Sequence, residues 1–505
     1  MKINKILIAN RGEIAVRIMK TCREMGIKTI ALYTEMEQDL PHTLLADENY
    51  NLGAGALAET YLNSARIIAI ARELAADAIH PGYGFLSENA DFAEAVSAAG
   101  MIFIGPSAAS MRLMGDKIAS KNKMAALGVA LIPGFHQAPS QGQGGQPLDP
   151  LLLEKEGDKI GYPLLIKASA GGGGKGMRIV RRGSEFISAL ESAQREAQHA
   201  FGDDRVLLEK YIENPRHIEI QVFSDTHGQH FHFFERECSI QRRHQKVIEE
   251  TPSVALGPET REKMAQIALQ ITRGIDYVGA GTIEFIYDTD GSFYFLEMNT
   301  RLQVEHPITE MVCGIDLVQL QIQVAQGEKL NLCQEDIQQI GHAIEVRLYA
   351  EDPDNEFLPS VGKIAYRGSP QTIGARLDTG LQDGNTVTIH FDPMLAKLIV
   401  HATDRQQAIA KMLIAIDEVP FLGVVTNRDY LKRILHSPPF QAGDTLTHFV
   451  EKYAAELLPR PLSTDDIAKS IASYLLKTRP ATSVTSAGSG RVPNVWQQLE
   501  GFRNI

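Results

Sequence analysis

The 505-residue sequence is 44% hydrophobic and 22% charged, the balance of a globular chain rather than a disordered or fibrous one, and its length predicts about three domains at roughly 100 to 200 residues each. A formal net charge of -12 disfavours nucleic acid or an anionic membrane surface as the main partner. Cys22, Cys238, Cys313 and Cys333 lack any CxxC spacing, the apolar run before Arg11 and Glu13 is too short for a signal segment, and no run approaches the ~18 residues of a membrane helix; the expectation is a reduced, cytoplasmic protein without a membrane partner.

The chain opens as strand, turn, helix, strand. KILIAN is an apolar run, Ile14, Ile18, Cys22 and Met25 recur at helical spacing, and Gly26 leads into the β-branched IKTIALY. The helix-like NSARIIAIARELAA, the strand AIHP, a helix after Ser87 and the strand MIFIGP continue the pattern. Residues 1–115 therefore read as a Rossmann-like, parallel-sheet α/β domain, although GxGxxG is missing.

From 116 to 330 the order is mixed. QAPSQGQGGQPLDP, residues 137–150, has the composition of a surface excursion. Strands PLLIKAS and GMRIVR flank a glycine run, a long helix starts at Ser184, and RVLLEKYI, HIEIQVFSD and HFHFFERE alternate with period two. A helix over Pro258–Gly274 and the strands TIEFIYD and SFYFLEMN close the region. Residues 331–450 are again mixed α and β, and 451–505, rich in small polar residues between 460 and 490, read as a tail or linker.

Three segments carry candidate chemistry. Gly171, Gly172, Gly173 and Gly174, before Lys175 and Gly176, offer backbone N–H groups to phosphate oxygens or else form a flexible hairpin tip; the run is not a P-loop, and Lys167 on the preceding strand favours nucleotide. In EMNTRLQVEH, residues Glu297, Asn299, Arg301, Gln303 and Glu305 occupy alternate positions, which in an extended chain share one face. That face is either a solvated strand face or a site. As a site, Glu297 and Asn299 with Glu284 of TIEFIYD supply hard oxygen ligands for Mg²⁺, Arg301 pins a small planar anion, Gln303 hydrogen-bonds it and Glu305 takes its proton. The third segment, ERECSIQRRHQKVIEE, places Arg242, Arg243, His244 and Lys246 among glutamates, a pattern that usually means solvated charge. His217, His230, His232 and His244 have no paired zinc-ligand spacing.

In this order, ILIANRGEIAVRI, HPGYGFLSENADFAE, MGDK, KASAGGGGKGMRIV, EKYIENPRHIEIQV, ERECSIQRRHQKVIEE, EMNTRLQVEHPITE and GHAIEVRLYAEDP resemble the biotin carboxylase family over nearly everything from Lys5 to Glu451. The resemblance implies an ATP-grasp domain over 116–330, with a glycine-rich lid at about 132–211, between the N-terminal domain and a C-terminal biotin carboxylase domain at 331–450. It implies that Lys117 and Lys167 hold ATP phosphates beneath the lid formed with Gly172, Gly173 and Gly174, that Glu209 and Lys210 border the adenine, and that His217 and His244 lie near the nucleotide. Glu284, Glu297 and Asn299 would hold Mg²⁺ or Mn²⁺. Lys246, Arg301, Gln303 and the backbone of Val304 would bind bicarbonate, Glu305 would be the general base, and Arg347 would stabilise the biotin enolate, with Tyr83 and Glu88 at the same pocket.

The sequence contains no Ala-Met-Lys-Met biotin-attachment segment, so the resemblance implies a separate biotin carboxyl carrier protein and a carboxyltransferase subunit as partners, with the chain itself a homodimer. KASAGGGGKGM and the terminal VPNVWQQLEGFRNI look like acyl-CoA carboxylase α subunits, which implies acetyl-CoA, then propionyl-CoA, as the final acceptor and a place in fatty acid synthesis. The rivals are another carboxyphosphate-using ATP-grasp ligase and a catalytically silent nucleotide-binding regulator. HPGYGFLSEN and RRHQKVIEE speak against the first, and the set Lys246, Arg301, Glu305 and Arg347 against the second.

Overall fold

The computed structural model describes residues 2–135, 149–169, 176–459 and the pairs 464–465, 468–469 and 471–472. Met1–Leu458 and Pro459–Ile505 are two separate compact units. The glycines at 171–174 and the greater part of the 137–150 excursion and of the tail lie outside the described residues.

At the N-terminus, Lys5–Ile8, Lys28–Tyr33, Glu48–Asn51, Ala78–His80 and Ile102–Phe103 form a five-stranded parallel sheet, with Lys5–Ile8 at its centre. The expected stripe of helix Gly12–Glu24 packs inward through buried Ile14, Ile18 and Cys22, while Met25 already caps the end. The helix expected after Ser87 begins at Ala90, because the Asn89 side chain accepts from Phe92 N and fixes the start there.

The middle of the chain builds two sheets. Gly134–Phe135, Val206–Lys210, Leu164–Ala168 and Met177–Val180 form a four-stranded antiparallel sheet in that order, packed on helix Phe186–Phe201 through Phe186, Leu190 and Ala193. Helix Pro150–Ile160 joins the same layer; it was not expected, although Asp149 caps it and Pro150 opens it.

The other sheet has eight strands, ordered Phe293–Asn299, Gly279–Tyr287, Arg216–Ser224, His230–Arg242, Gln245–Thr251, His342–Tyr349, Met394–Ala402 and Ala375–Thr379, with antiparallel pairing throughout. Helix Pro258–Gly274 covers part of it through Met264, Ala268 and Ile271, and helix Arg405–Glu418, capped by Asp404, covers the last strands through Ala408, Met412 and Ala415. Because both faces are covered, polar residues in the alternating positions of these strands are buried as well as apolar ones.

Two expectations fail here. EMNTRLQVEH is not one extended face. The strand ends at Asn299, and residues 300–305 form an irregular loop leading into helix His306–Cys313, with Glu305 at the N-cap position and Pro307 in the first turn. The proline pre-sets helical φ and ends the strand pattern. Nor is ERECSIQRRHQKVIEE mainly solvated: Glu235, Arg236, Glu237, Cys238 and Gln241 are buried, and exposure is confined to the turn at Arg243 and His244, both at positive φ.

Candidate active site

Sheet register assembles the site. Across four strands, Glu297 lies opposite Glu284, Glu284 opposite Glu219, and Glu219 opposite Arg236. One step along, Asn299, Thr282 and Gln221 form a parallel row. The row of three carboxylates ends on Arg236, which is fully buried and donates to Glu219 at 2.5 Å, Gln221 at 2.7 Å, Thr309 at 2.9 Å, Thr282 at 3.2 Å and Gln303 at 2.7 Å. With Gln303 Oε1 held by Arg236, its Nε2 is left to donate, and it reaches Glu284 at 2.8 Å.

Lys246 and Glu305 meet above this row. Lys246 Nζ lies 2.5 Å from Glu305, 2.7 Å from Glu219 and 3.3 Å from Glu284. Arg347 Nη2 reaches the other Glu305 oxygen at 3.0 Å, and Arg347 is itself held by Glu249 through Nε at 2.7 Å and Nη2 at 2.5 Å. Burial pushes the Glu305 carboxyl up, but Lys246 first, then Arg347 and Arg236, outweigh it and hold it well below the usual carboxylate range. Arg301 pairs with Glu88 at 2.8 Å and donates to Asn299 at 2.8 Å, so Glu88, expected only at the pocket edge, is the resting counter-ion of Arg301.

The carboxylate pair suits a divalent cation. Burial and then the facing Glu284 push the Glu297 carboxyl up, whereas at Glu284 burial is outweighed by Lys246 and His217, which keep that carboxyl low. Like charges opposed at register distance are the arrangement that a hard cation relieves. Asn299 Nδ2 donates to Glu284 at 2.7 Å, and His217 Nε2 lies 3.0 Å from the other Glu284 oxygen, so His217, Glu219 and Glu284 have ligand atoms within 4.8 Å of one another.

Beneath the four-stranded sheet lies a cationic cluster. Asp116 caps helix Lys117–Ala126, placing Lys117 and Lys121 one turn apart on one face, beside Lys167. Lys121 contacts Glu209, which is also ion-paired with Lys167 at 2.5 Å. Burial and the neighbouring ammonium groups lower Lys167 to about 8 and Lys121 to about 7. Two of these lysines share Glu209 and Lys117 stands beside them, a crowding of ammonium groups that a polyphosphate anion would relieve. Lys210 points elsewhere, to the carbonyls of Gly161 and Tyr162, and His244 is exposed at its turn.

Tyr83, Arg301, Val304 and Arg347 line a cavity of about 540 Å³ that continues between helix Gly12–Glu24 and residues 380–395. Sequence reasoning missed Glu219, Arg236, Glu249 and Lys121. Only Lys121 had a local signal, its spacing of four from Lys117; the others need the sheet register.

A polyphosphate-suited lysine cluster facing a carboxylate pair, with a small sheet over a larger one, is the layout of an ATP-grasp ligase. Models of the biotin carboxylase N-terminal domain, the carbamoyl-phosphate synthase L chain ATP-binding domain and the biotin carboxylase C-terminal domain match residues 2–111, 116–333 and 345–452. The chain is 48% identical over 451 residues to biotin carboxylase of Haemophilus influenzae, covering 89% of this chain and 98% of that one. It is 47% identical over 484 residues to the mitochondrial methylcrotonoyl-CoA carboxylase subunit alpha of Mus musculus, covering 95% of this chain and 66% of that one, and so spans about two thirds of that relative. The biotin carboxylase domain dimer of Hydrogenobacter thermophilus 2-oxoglutarate carboxylase, solved with MgADP, ADP and bicarbonate, superposes with a TM-score of 0.86 at 44% identity, covering 91% of this chain and all of that one. The chain belongs to the biotin carboxylase family, and with it to the ATP-dependent ligases.

Among the described residues no helix is long and apolar enough to cross a membrane.

Proposed function

We propose that this chain carboxylates biotin on a carrier protein at the expense of ATP, through carboxyphosphate. The observation that supports this best is Glu305 held between Lys246 and Arg347, with Arg301 and the donating amide of Gln303 beside it. That is an anion pocket with its own base. ATP phosphates would sit at Lys117, Lys121 and Lys167 under the lid, with Glu209 at the nucleotide and Glu284, Glu297 and Asn299 holding Mg²⁺ or Mn²⁺. The cation would neutralise phosphate charge as the γ-phosphoryl group transfers.

Bicarbonate would bind Lys246, Arg301, Gln303 and the Val304 backbone. In the resting site Lys246 and Arg347 make Glu305 too weak a base. An anion drawing these cations to itself raises Glu305 basicity at the moment its proton must be taken. Glu305 accepts that proton, the bicarbonate oxygen attacks the γ-phosphorus, and ADP leaves. Carboxyphosphate breaks to CO₂ and phosphate, phosphate takes the N1 proton of biotin, and N1 attacks CO₂ while Arg347 stabilises the ureido oxygen. Exclusion of water protects the labile intermediate, which is the use of a lid.

A biotin carboxyl carrier protein and a carboxyltransferase are the partners this reading implies, the dimer of the 2-oxoglutarate carboxylase domain supports pairing with a second copy of this chain, and a reducing compartment, the cytoplasm in our reading, suits the four unpaired thiols. Acetyl-CoA followed by propionyl-CoA was the acceptor order expected from the sequence. The relatives above are named for methylcrotonoyl-CoA and 2-oxoglutarate at 47% and 44% identity, so similarity over this region does not encode an acceptor, and we assign that choice to the carboxyltransferase.

The test is phosphate release from Mg-ATP by the purified chain with bicarbonate and free biotin each present or omitted. Turnover that requires bicarbonate and rises with biotin supports the proposal; turnover indifferent to both assigns another ATP-grasp reaction. In the same assay Lys167→Ala raises the KM for ATP roughly ten- to hundredfold, the worth of one charge-assisted hydrogen bond, and an unchanged ATP dependence would remove Lys167 from the phosphate site.

A further inference from the structure

The segment NRGE, part of the family resemblance, has so far been given no task, yet it places a carboxylate at the reaction cavity. Glu13 lies in the first turn of helix Gly12–Glu24, is 7% exposed and lines the cavity shared with Tyr83, Arg301, Val304 and Arg347. Its position is tightly set: Gly380 packs so closely on the backbone of Gly12 and Glu13 that a Cβ at 380 would lie 2.4 Å from the Gly12 carbonyl carbon. Lys397 faces it from strand Met394–Ala402. Fully buried, Lys397 lies 3.2 Å from Glu13 and 4.0 Å from Asp378, and donates to the carbonyl of Val304 at 2.8 Å.

That last bond matters because residues 300–305 lack regular structure and carry the anion-binding groups. The loop backbone is pinned at few points: Glu88 accepts from Thr300 N, the His306 ring bonds the Gln303 carbonyl at 2.7 Å, and Lys397 holds Val304. Lys397 is the pin next to Glu305. A fully buried ammonium needs a counter-charge to stay there; of the two carboxylates within 4.0 Å Glu13 is the nearer, and the other, Asp378, is paired with Arg376 at 2.7 Å.

We propose that Lys397 and Glu13 are positioning residues for bicarbonate activation: Lys397 fixes the Val304 carbonyl and with it the backbone that presents Glu305, and Glu13 holds Lys397 in place. The inference rests on the function proposed above. Its substance is that the C-terminal strands and the N-terminal helix jointly set the general base, although neither reaches the nucleotide site.

The experiment is a double-mutant cycle in the full chain, with the parent's bicarbonate-dependent turnover measured first so that failure of the functional reading shows there and not in the variants. Lys397→Met keeps the length and removes the charge; it raises the KM for bicarbonate about tenfold or more and lowers kcat, with the KM for ATP within about twofold. Glu13→Gln keeps the shape and gives the same signature to a smaller extent. Because Glu13 acts through Lys397, the double variant is no worse than Lys397→Met. Lys397→Arg, which retains a donor cation, recovers part of the bicarbonate affinity. Parallel losses for ATP and bicarbonate, or additive losses in the double variant, would overturn the proposal. Should Lys397→Met not fold, a parent-like bicarbonate KM in folded Glu13→Gln would overturn it equally.

Discussion

Glu305→Gln lowers turnover by ~10² to 10⁴, the usual contribution of a general base, and leaves the KM for ATP near its parent value. The amide cannot accept the bicarbonate proton, but it is the same size as the acid. The variant should also fold, because neither cation is orphaned: Lys246 keeps Glu219 and Glu284, and Arg347 keeps Glu249. Steady-state phosphate release, with ATP and bicarbonate varied separately, is the measurement. Near-parent turnover would take the base role from Glu305.

Arg236→Met costs stability on a scale that a surface arginine never approaches, about 3 to 5 kcal/mol, the range for breaking a buried charge pair from one side. The reason is the transverse row of carboxylates. Arg236 is its only arginine, and its removal leaves Glu219 Oε1 without its donor while Gln221, Thr282, Thr309 and Gln303 each lose one bond. Lys246 stays on Glu219 Oε2, so that carboxylate is not left bare and the effect falls toward the lower end of the range. Urea unfolding of parent and variant at one pH reads the effect, and a change below about 1 kcal/mol would show that the row does not depend on this guanidinium.

Much of the fold is legible locally because most elements obey their own periodicity. Helix Pro258–Gly274 and the strands around Ile218–Val222, Thr282–Ile286 and Phe293–Asn299 fall where alternation and proline place them. Strand Glu48–Asn51 escapes because ENYN carries no apolar run; it is extended because the edge of the parallel sheet pairs with it. The site divides in the same way. Glu305, Arg301 and Gln303 stand out in one segment on the geometry of an extended strand, whereas the structure carries them on a loop, with Gln303 on Glu284, Glu305 on Lys246 and Arg301 on Glu88. Glu219 and Arg236 were invisible, since a glutamate between Ile218 and Ile220 reads as the wet side of a half-buried strand. Only knowing that helices cover both faces, and that residue 219 lies opposite residue 284, turns it into part of a charge row.

The eight-stranded sheet gives the reaction centre a ruler. From the strand bearing Glu284 to the strand bearing Lys397 there are five ladder steps, or about 24 Å followed along the sheet at roughly 4.8 Å each, and the groups we propose for cation, anion and biotin hang from strands along that path while their side chains converge. Side-chain replacement can change the sign or reach of any group, but the intervals between groups belong to the backbone. Divergence within such a scaffold is therefore free to retune affinities residue by residue. It is not free to insert or delete within these strands, where a shift of one residue turns every charge to the opposite face.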